Sequence, residues 1–199
     1  MAEELSPTRE RRQGGITLLL AIVAVMWGAE IVDTIANHRL DQYGIEPRDS
    51  DGLSGIIAAP FLHAGFGHLV GNTIPLLALG FLIALGGAVR VVAVTVIVAL
   101  VSGVGTWIIG PDNTNHIGAS GVVFGYATYL LSRGLFNRNL IEIGLGVAIG
   151  ALFGGALLAG LEPQEGISWQ GHLFGAVGGI VAARMLAPKS EDEPSRIPS

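Results

Sequence analysis

Residues 68–89 read "HLVGNTIPLLALGFLIALGGAV" and contain no Asp, Glu, Lys or Arg. About 20 apolar residues in a helix cross roughly 30 Å of hydrocarbon. Five more segments also contain no Asp, Glu, Lys or Arg and are 17 to 21 residues long: 13–29, 91–111, 113–132, 143–161 and 166–183. Only 14% of the 199 residues are charged, against about 25% in a typical soluble domain. The sequence therefore predicts an all-α membrane protein with six transmembrane helices.

The blocks divide the chain into one membrane domain, predicted over 13–187, and two polar cytoplasmic tails, predicted at 1–12 and 188–199. The longest connection, about 37–67, starts with turn-forming residues and becomes apolar without reaching the length of a span. We expect it to be an external loop that rests on the membrane surface. Glycine and alanine recur through the spans, and such small residues let helices approach closely in lipid. The expected fold is a compact six-helix bundle with a long, membrane-associated first external loop.

The distribution of basic residues predicts how the bundle is oriented. Nine of the eleven lie on one side of the predicted membrane: Arg9, Arg11, Arg12, Arg90, Arg133, Arg138, Arg184, Lys189 and Arg196. Arg39 and Arg48 are left for the other side. Because cytoplasmic loops carry the excess of Lys and Arg, both termini are predicted to be cytoplasmic. We expect a multi-pass protein of the plasma membrane.

Several kinds of chemistry are disfavoured by composition. The net charge of −5 gives no reason to expect a nucleic-acid partner, and the lack of cysteine excludes thiol chemistry and Cys-ligated metals. A zinc protease motif needs glutamate directly after the first histidine, whereas leucine follows His68. Glu30 and Asp33 end the first span without a carboxylate partner on a second span. We expect neither a catalytic metal nor a cofactor.

Five polar residues lie near the external ends of apolar segments. His63, His68 and Asn72 are at the start of the second span, Ser120 is at the start of the fourth, and His172 is in the sixth. Any one of them is compatible with helix packing or an interhelical hydrogen bond. Their shared depth favours a functional site facing one cavity, since polar groups are costly at membrane depth.

Serine with histidine is the remaining combination that supports hydrolysis. A serine hydroxyl is a weak nucleophile until a base removes its proton, and histidine is the usual base near neutral pH. We therefore expect Ser120 as nucleophile and His172 as base. His116 is an alternative base four residues before Ser120, but its loop position favours a solvated histidine. His38 has no nearby partner in the sequence and is given no role.

Donors for a tetrahedral oxyanion are expected beside the serine. The Ser120 backbone N–H lies in the first turn of its helix, where amides lack intrahelical partners. His68 and Asn72 are four residues apart on one helix face and offer side-chain donors. Gly118 and Gly121 would let a substrate backbone come close.

The fourth span is short. Its predicted helix, 117–132, has sixteen residues and a length of about 24 Å at 1.5 Å per residue. A helix shorter than the hydrocarbon thickness suggests that Ser120 lies below the outer surface, on the floor of a water-filled depression.

The chain resembles the rhomboid family of intramembrane serine proteases over residues 15–187. The resemblance rests on three motifs in order: His63-x₄-His68-x₃-Asn72, "GASG" at 118–121 and "GHLFGAVG" at 171–178.

The resemblance implies a Ser120–His172 dyad, with His68 and Asn72 lining the oxyanion hole. It further implies that His63 supports the first loop near the site. Members of the family cleave transmembrane segments of other membrane proteins near the external face. Transmembrane protein substrates and the lipid bilayer are therefore the expected partners.

Three positions depart from the pattern of the family. Many members have Trp-Arg in the first loop, where this chain has Ser54 and Gly55. Some bacterial members have a tyrosine that stacks on the base, and this chain has Phe124 there. Neither change removes a reacting atom, so activity is expected.

Two other functions are compatible with a bundle of this kind. A catalytically inactive relative would bind transmembrane helices in the same groove without cutting them. A small channel or transporter would use the water-filled depression as the external half of a solute pathway across the membrane. The cytoplasmic halves of the spans offer little polar lining for the other half.

Overall fold

A computed structural model describes residues 6–188, which form seven α-helices and no β-strand. The helices are α1 (Pro7–Ile35), α2 (Gly55–Ala58), α3 (Phe66–Ala84), α4 (Ala88–Ile109), α5 (Ser120–Asn137), α6 (Leu140–Ala159) and α7 (Trp169–Met185). Three short 3₁₀ turns lie in the connection between α1 and α3, at Asp41–Tyr43, Asp51–Leu53 and Ala59–Phe61. The predicted all-α class is confirmed.

Four helices are long and apolar enough to cross a membrane: α1, α3, α4 and α6. The remaining long helices, α5 and α7, have 18 and 17 residues. α5 is central because it packs against α3, α4, α6 and α7. Central helices meet protein rather than lipid, so they need small residues at their contacts more than large apolar ones. The six-span count therefore stays a prediction for α5 and α7.

The boundaries of α5 differ from those predicted at 117–132. The helix begins at Ser120, because Gly118 has a φ of +114° and cannot continue a right-handed helix. It extends to Asn137 and ends at Arg138, which adopts the left-handed conformation with a φ of 51°. Arg133, predicted to follow the span, lies inside α5 and binds the Glu142 carboxylate of α6. Its eighteen residues make α5 about 27 Å long.

Glycines bring α5 and α7 into backbone contact. A Cβ atom on Gly175 would collide with the carbonyl oxygen of Gly121. One turn further, a Cβ on Gly179 would collide with the carbonyl oxygen of Gly125. This close packing fixes the start of α7 against the start of α5.

Replacing Gly175 with alanine is expected to lower the free energy of unfolding by about 1–3 kcal/mol, because the added methyl group meets backbone that cannot move aside. Gly154→Ala in α6 is the matched control, since a Cβ there has no neighbour within 4 Å. Both changes gain the same helix propensity, so the difference reports packing. Thermal unfolding in detergent measures it, and equal midpoints for the two variants would contradict the packing described.

The connection between α1 and α3 packs on the protein along much of its length. Ile45 and His116 exchange backbone hydrogen bonds of 2.9 and 3.0 Å. The Trp107 indole donates to the carbonyl of Asp49 at 2.8 Å, and Arg48 binds Asp112. These contacts hold the first loop against the end of α4 and the segment that leads into α5.

Two of the positions that depart from the family pattern, Ser54 and Gly55, lie where this loop turns. Ser54 donates its hydroxyl to the carbonyl of Asp51 at 3.0 Å. A Cβ atom on Gly55 would collide with the carbonyl of Gly44. The loop is therefore folded so tightly at Gly55 that a large side chain does not fit.

Candidate active site

The structure brings together Ser120 and His172, which are 52 positions apart in the chain. Ser120 is the first residue of α5, and His172 lies in the first turn of α7. The Ser120 Oγ and His172 Nε2 atoms are 2.8 Å apart. This is the distance of a strong hydrogen bond.

The tautomer of His172 follows from its second hydrogen bond. Nδ1 lies 2.7 Å from the carbonyl oxygen of Gly160, at the end of α6. A carbonyl oxygen only accepts, so Nδ1 carries the proton and the Nε2 lone pair faces Ser120. The carbonyl takes the orienting place that a carboxylate holds in a serine–histidine–aspartate triad.

The Phe124 ring packs against one face of the His172 imidazole. It is stacked on His172 with centroids 4.1 Å apart and an interplanar angle of 6°. A Cβ on Gly160 would come within 2.5 Å of the Phe124 ring and 3.1 Å of His172 Nδ1. Sequence reasoning included Phe124 but missed Gly160, because it acts through a backbone carbonyl that no motif marks.

Two side-chain donors close around the space that a Cβ on Gly118 would fill, and His68 Cε1 is only 2.6 Å from that position. A Cβ on Gly118 would be 2.7 Å from His68 Nε2 and 3.6 Å from Asn72 Nδ2. His68 Nδ1 accepts a hydrogen bond from the Ala64 N–H at 3.4 Å. Nε2 of the neutral imidazole therefore carries its proton toward this space. Asn72 Nδ2 donates to the carbonyl of His68 at 3.1 Å.

His63 connects the first loop to the start of α5. It is buried, and its Nε2 accepts from the Ala119 N–H at 3.4 Å. Its ring lies edge-on to His68 at a centroid distance of 5.1 Å. Burial, reinforced by His68, lowers the pKa of His63 to about 4. The imidazole is therefore neutral at physiological pH and acts as an acceptor.

The expectation that His116 is a solvated loop residue is wrong. Its side chain is half-buried, with Nδ1 2.8 Å from Ser168 Oγ and Nε2 2.8 Å from Thr114 Oγ1. Burial lowers its pKa. Ser168 in turn caps α7 by accepting from the Gly171 N–H at 3.3 Å. His116 is therefore a structural link between loops, and neither ring nitrogen is free for Ser120.

One small cavity adjoins Ser120, and a wider cleft shares His116, Ile117 and Ser168 with it. A cleft of about 690 Å³ opens between His68, residues 114–117 and residues 163–170, wide enough to admit water. A second cavity of about 30 Å³ lies beside Ser120 and is also lined by Ser102 and Thr106. It exceeds the 10–15 Å³ that one water needs, and its hydroxyls offer hydrogen-bond partners. Access of water from the wider cleft to Ser120 stays a prediction.

Comparison with known proteins gives a consistent result. A family model described as "Rhomboid domain" matches residues 50–189. The chain is 46% identical over 187 residues to "Uncharacterized protein Rv1337" of Mycobacterium tuberculosis, covering 90% of this chain and 78% of the relative. It is 45% identical over 183 residues to "Uncharacterized protein ML1171" of Mycobacterium leprae, covering 87% and 72%.

A more distant relative has a name that refers to a class of protease. The chain is 28% identical over 190 residues to "Putative rhomboid protease YdcA" of Bacillus subtilis, covering 88% of this chain and 90% of the relative. The family model spans more than two thirds of the chain, including all the residues that surround Ser120 and His172. The chain belongs to the rhomboid family.

Proposed function

We propose that this protein is a serine endopeptidase that hydrolyses a peptide bond in or near transmembrane segments of other membrane proteins. The observation that carries the proposal is the 2.8 Å hydrogen bond between Ser120 Oγ and His172 Nε2. The Gly160 carbonyl supports it, since it fixes the tautomer in which His172 can accept a proton.

Acylation begins when Ser120 Oγ attacks the carbonyl carbon and its proton passes to His172 Nε2. The Nδ1 proton stays on its hydrogen bond to the Gly160 carbonyl, which stabilises the imidazolium. The negative charge that develops on the substrate oxygen is placed in the space beside Gly118. The Ser120 N–H, His68 Nε2–H and the Asn72 amide are the donors that serve it.

Acylation ends when the imidazolium gives its proton to the leaving amine as the C–N bond breaks, which leaves an ester on Ser120. Deacylation then uses the same groups, with water in place of the serine hydroxyl. A water molecule then attacks this ester while His172 Nε2 takes its proton. Collapse of the second tetrahedral intermediate releases the new carboxyl terminus and returns the proton to Ser120 Oγ.

The membrane arrangement is part of the proposal. One membrane domain, 13–187, contains six spans with both termini in the cytoplasm: α1 from residue 13 onward, α3, α4, α5, α6 and α7. The calculated imbalance of Lys and Arg supports this orientation. The site then lies toward the external face of the plasma membrane. The tail residues 1–5 and 189–199 lie outside the described residues.

The test is cleavage of single-pass membrane proteins by the purified protein in liposomes, with products identified by mass spectrometry. We expect one defined cut in or near the transmembrane segment. An inactive helix-binding relative would instead retain the substrate uncut. A channel or transporter would move solute across the liposome without either effect. Either of these results without cleavage would contradict the proposal.

Phe124→Ala is expected to reduce the cleavage rate by about 3- to 10-fold. Aromatic stacking contributes about 0.5–1.5 kcal/mol, and without it the His172 ring is held by fewer contacts. Phe124→Tyr keeps the stacking face and is expected to retain the rate of the parent. Cleavage kinetics in liposomes compare the three proteins. Equal loss in both variants would show that the stacked ring is not what positions the base.

A further inference from the structure

Near the C-terminal end of α1, two buried carboxylates have oxygens without hydrogen-bond partners in the described part of the chain. Glu30 and Asp33 are each 1% exposed. Both oxygens of Glu30 and the Oδ2 atom of Asp33 have no hydrogen-bond partner within the described part of the chain. Burying an ionised carboxylate without compensation is costly. A carboxylate in such a place is either neutralised by a proton or compensated by a cation.

The chain folds back so that further ligand atoms meet Asp33. The Leu40 N–H donates to Asp33 Oδ1 at 2.6 Å. His38 Nδ1 is 3.3 Å from Asp33 Oδ2 and 3.9 Å from Asp41 Oδ2. One ligand atom from each of Asp33, His38 and Asp41 lies within 4.8 Å of the others. The expectation that His38 has no partner is wrong, because the turn after α1 brings it to Asp33 and Asp41.

The backbone of this turn is unusual for the residues it contains. Asn37 and His38 have φ values of 56° and 57°. Consecutive left-handed residues without glycine are costly and persist where the surroundings compensate for them. Here they direct the His38 imidazole back toward Asp33.

The charges of the group do not balance among themselves. Three carboxylates accompany a single imidazole: Asp33 and Asp41 approach His38, and Glu30 lies one turn before Asp33. One imidazolium neutralises one carboxylate at most, which leaves negative charge in a buried place.

We propose that Asp33, His38 and Asp41 bind a divalent transition-metal ion of the Zn²⁺ or Mn²⁺ type, with Glu30 adding negative charge. A set of carboxylate oxygens and one imidazole nitrogen suits these ions, whereas Ca²⁺ and Mg²⁺ favour oxygen alone. The ion would enter from solvent on the side of His38 and Asp41, whose side chains are 52% and 24% exposed. This site is separate from Ser120 and does not depend on the proposed protease activity.

The ion would brace the first loop. It joins Asp33 at the end of α1 to Asp41 in the loop. The Asp41 carbonyl in turn accepts a hydrogen bond of 2.5 Å from Asn115 Nδ2. Asn115 immediately precedes His116, which links the loops around the site. Metal binding is therefore expected to stabilise the fold on this side of the molecule.

The experiment uses the full chain, purified in detergent with an affinity tag that lacks histidine and stripped with a chelator. Zn²⁺, Mn²⁺ and, for comparison, Ca²⁺ are titrated separately, and bound metal is counted by elemental mass spectrometry after gel filtration. We expect one equivalent of Zn²⁺ or Mn²⁺ per chain, with a raised thermal midpoint. Ca²⁺ is expected to bind at least about 10-fold more weakly.

Asp33→Asn and Asp41→Asn are each expected to weaken Zn²⁺ or Mn²⁺ binding by at least about 10-fold. Asp51→Asn removes an exposed carboxylate from the same loop and is expected to bind like the parent. Asp41 is partly exposed, so its variant serves if Asp33→Asn does not fold. Ser120→Ala is expected to retain full metal binding, which separates this inference from the protease proposal. No stoichiometric binding, or equal binding in Asp41→Asn and the parent, would overturn it.

Discussion

Replacing Ser120 with alanine is expected to lower the rate of substrate cleavage by about 10⁴-fold or more, to the background of the assay. The hydroxyl is the atom that forms the acyl-enzyme bond, and no other group can take its place in the path described. The His172 ring stays in position through Gly160 and Phe124, so the loss is chemical rather than structural. Initial cleavage rates in liposomes measure the effect.

The matched control is Ser132→Ala in the same helix. Ser132 Oγ donates to the Thr128 carbonyl one turn earlier and lies far along α5 from the site. This variant is expected to cleave at the parental rate. Both variants are expected to unfold at temperatures close to that of the parent. Cleavage by Ser120→Ala at a rate near the parent's would exclude Ser120 as the nucleophile.

Replacing His172 with alanine is the second large effect, with an expected loss of about 10³- to 10⁴-fold in the cleavage rate. Without Nε2 nothing accepts the Ser120 proton at 2.8 Å, and general-base catalysis contributes about 10²- to 10⁴-fold alone. The oriented tautomer adds to this, because the Gly160 carbonyl keeps the Nε2 lone pair on the serine.

His116→Ala tests whether His172 or His116 is the base for Ser120. It removes hydrogen bonds to Ser168 and Thr114 and is expected to lower the thermal midpoint. The folded fraction is expected to retain cleavage within about 10-fold of the parent. If His116→Ala loses all cleavage in folded protein while His172→Ala does not, the assignment of the base is wrong.

The helical class and the family could be predicted from the sequence because they rest on long or ordered signals. Charge-free blocks of about 20 residues reflect the thickness of the hydrocarbon layer. Three motifs in order are specific where "GASG" alone is weak. The pairing of Ser120 with His172 is favoured by their shared position near the external ends of their spans, and the orientation of those spans rests on Lys and Arg alone.

Other features depend on contacts that no local pattern records. The helix α5 starts at Ser120 rather than at the predicted residue 117 because of the backbone conformation of Gly118. Gly160 contributes a carbonyl, and every residue has one, so composition does not mark it. The solvated-loop expectation for His116 fails because two loops fold against each other there and give its side chain partners. His38 finds partners because the chain reverses after α1, which places it beside Asp33 and Asp41.

The most direct measurement is to locate the adduct of a fluorophosphonate probe on the purified protein by tandem mass spectrometry. Such probes react with a serine hydroxyl activated by a base. We expect a single adduct on Ser120, no adduct on the neighbouring Ser102 or Ser168, and no labelling of His172→Ala. An adduct on a different serine, or substrate cleavage by a protein in which Ser120 remains unlabelled, would contradict the Ser120–His172 mechanism.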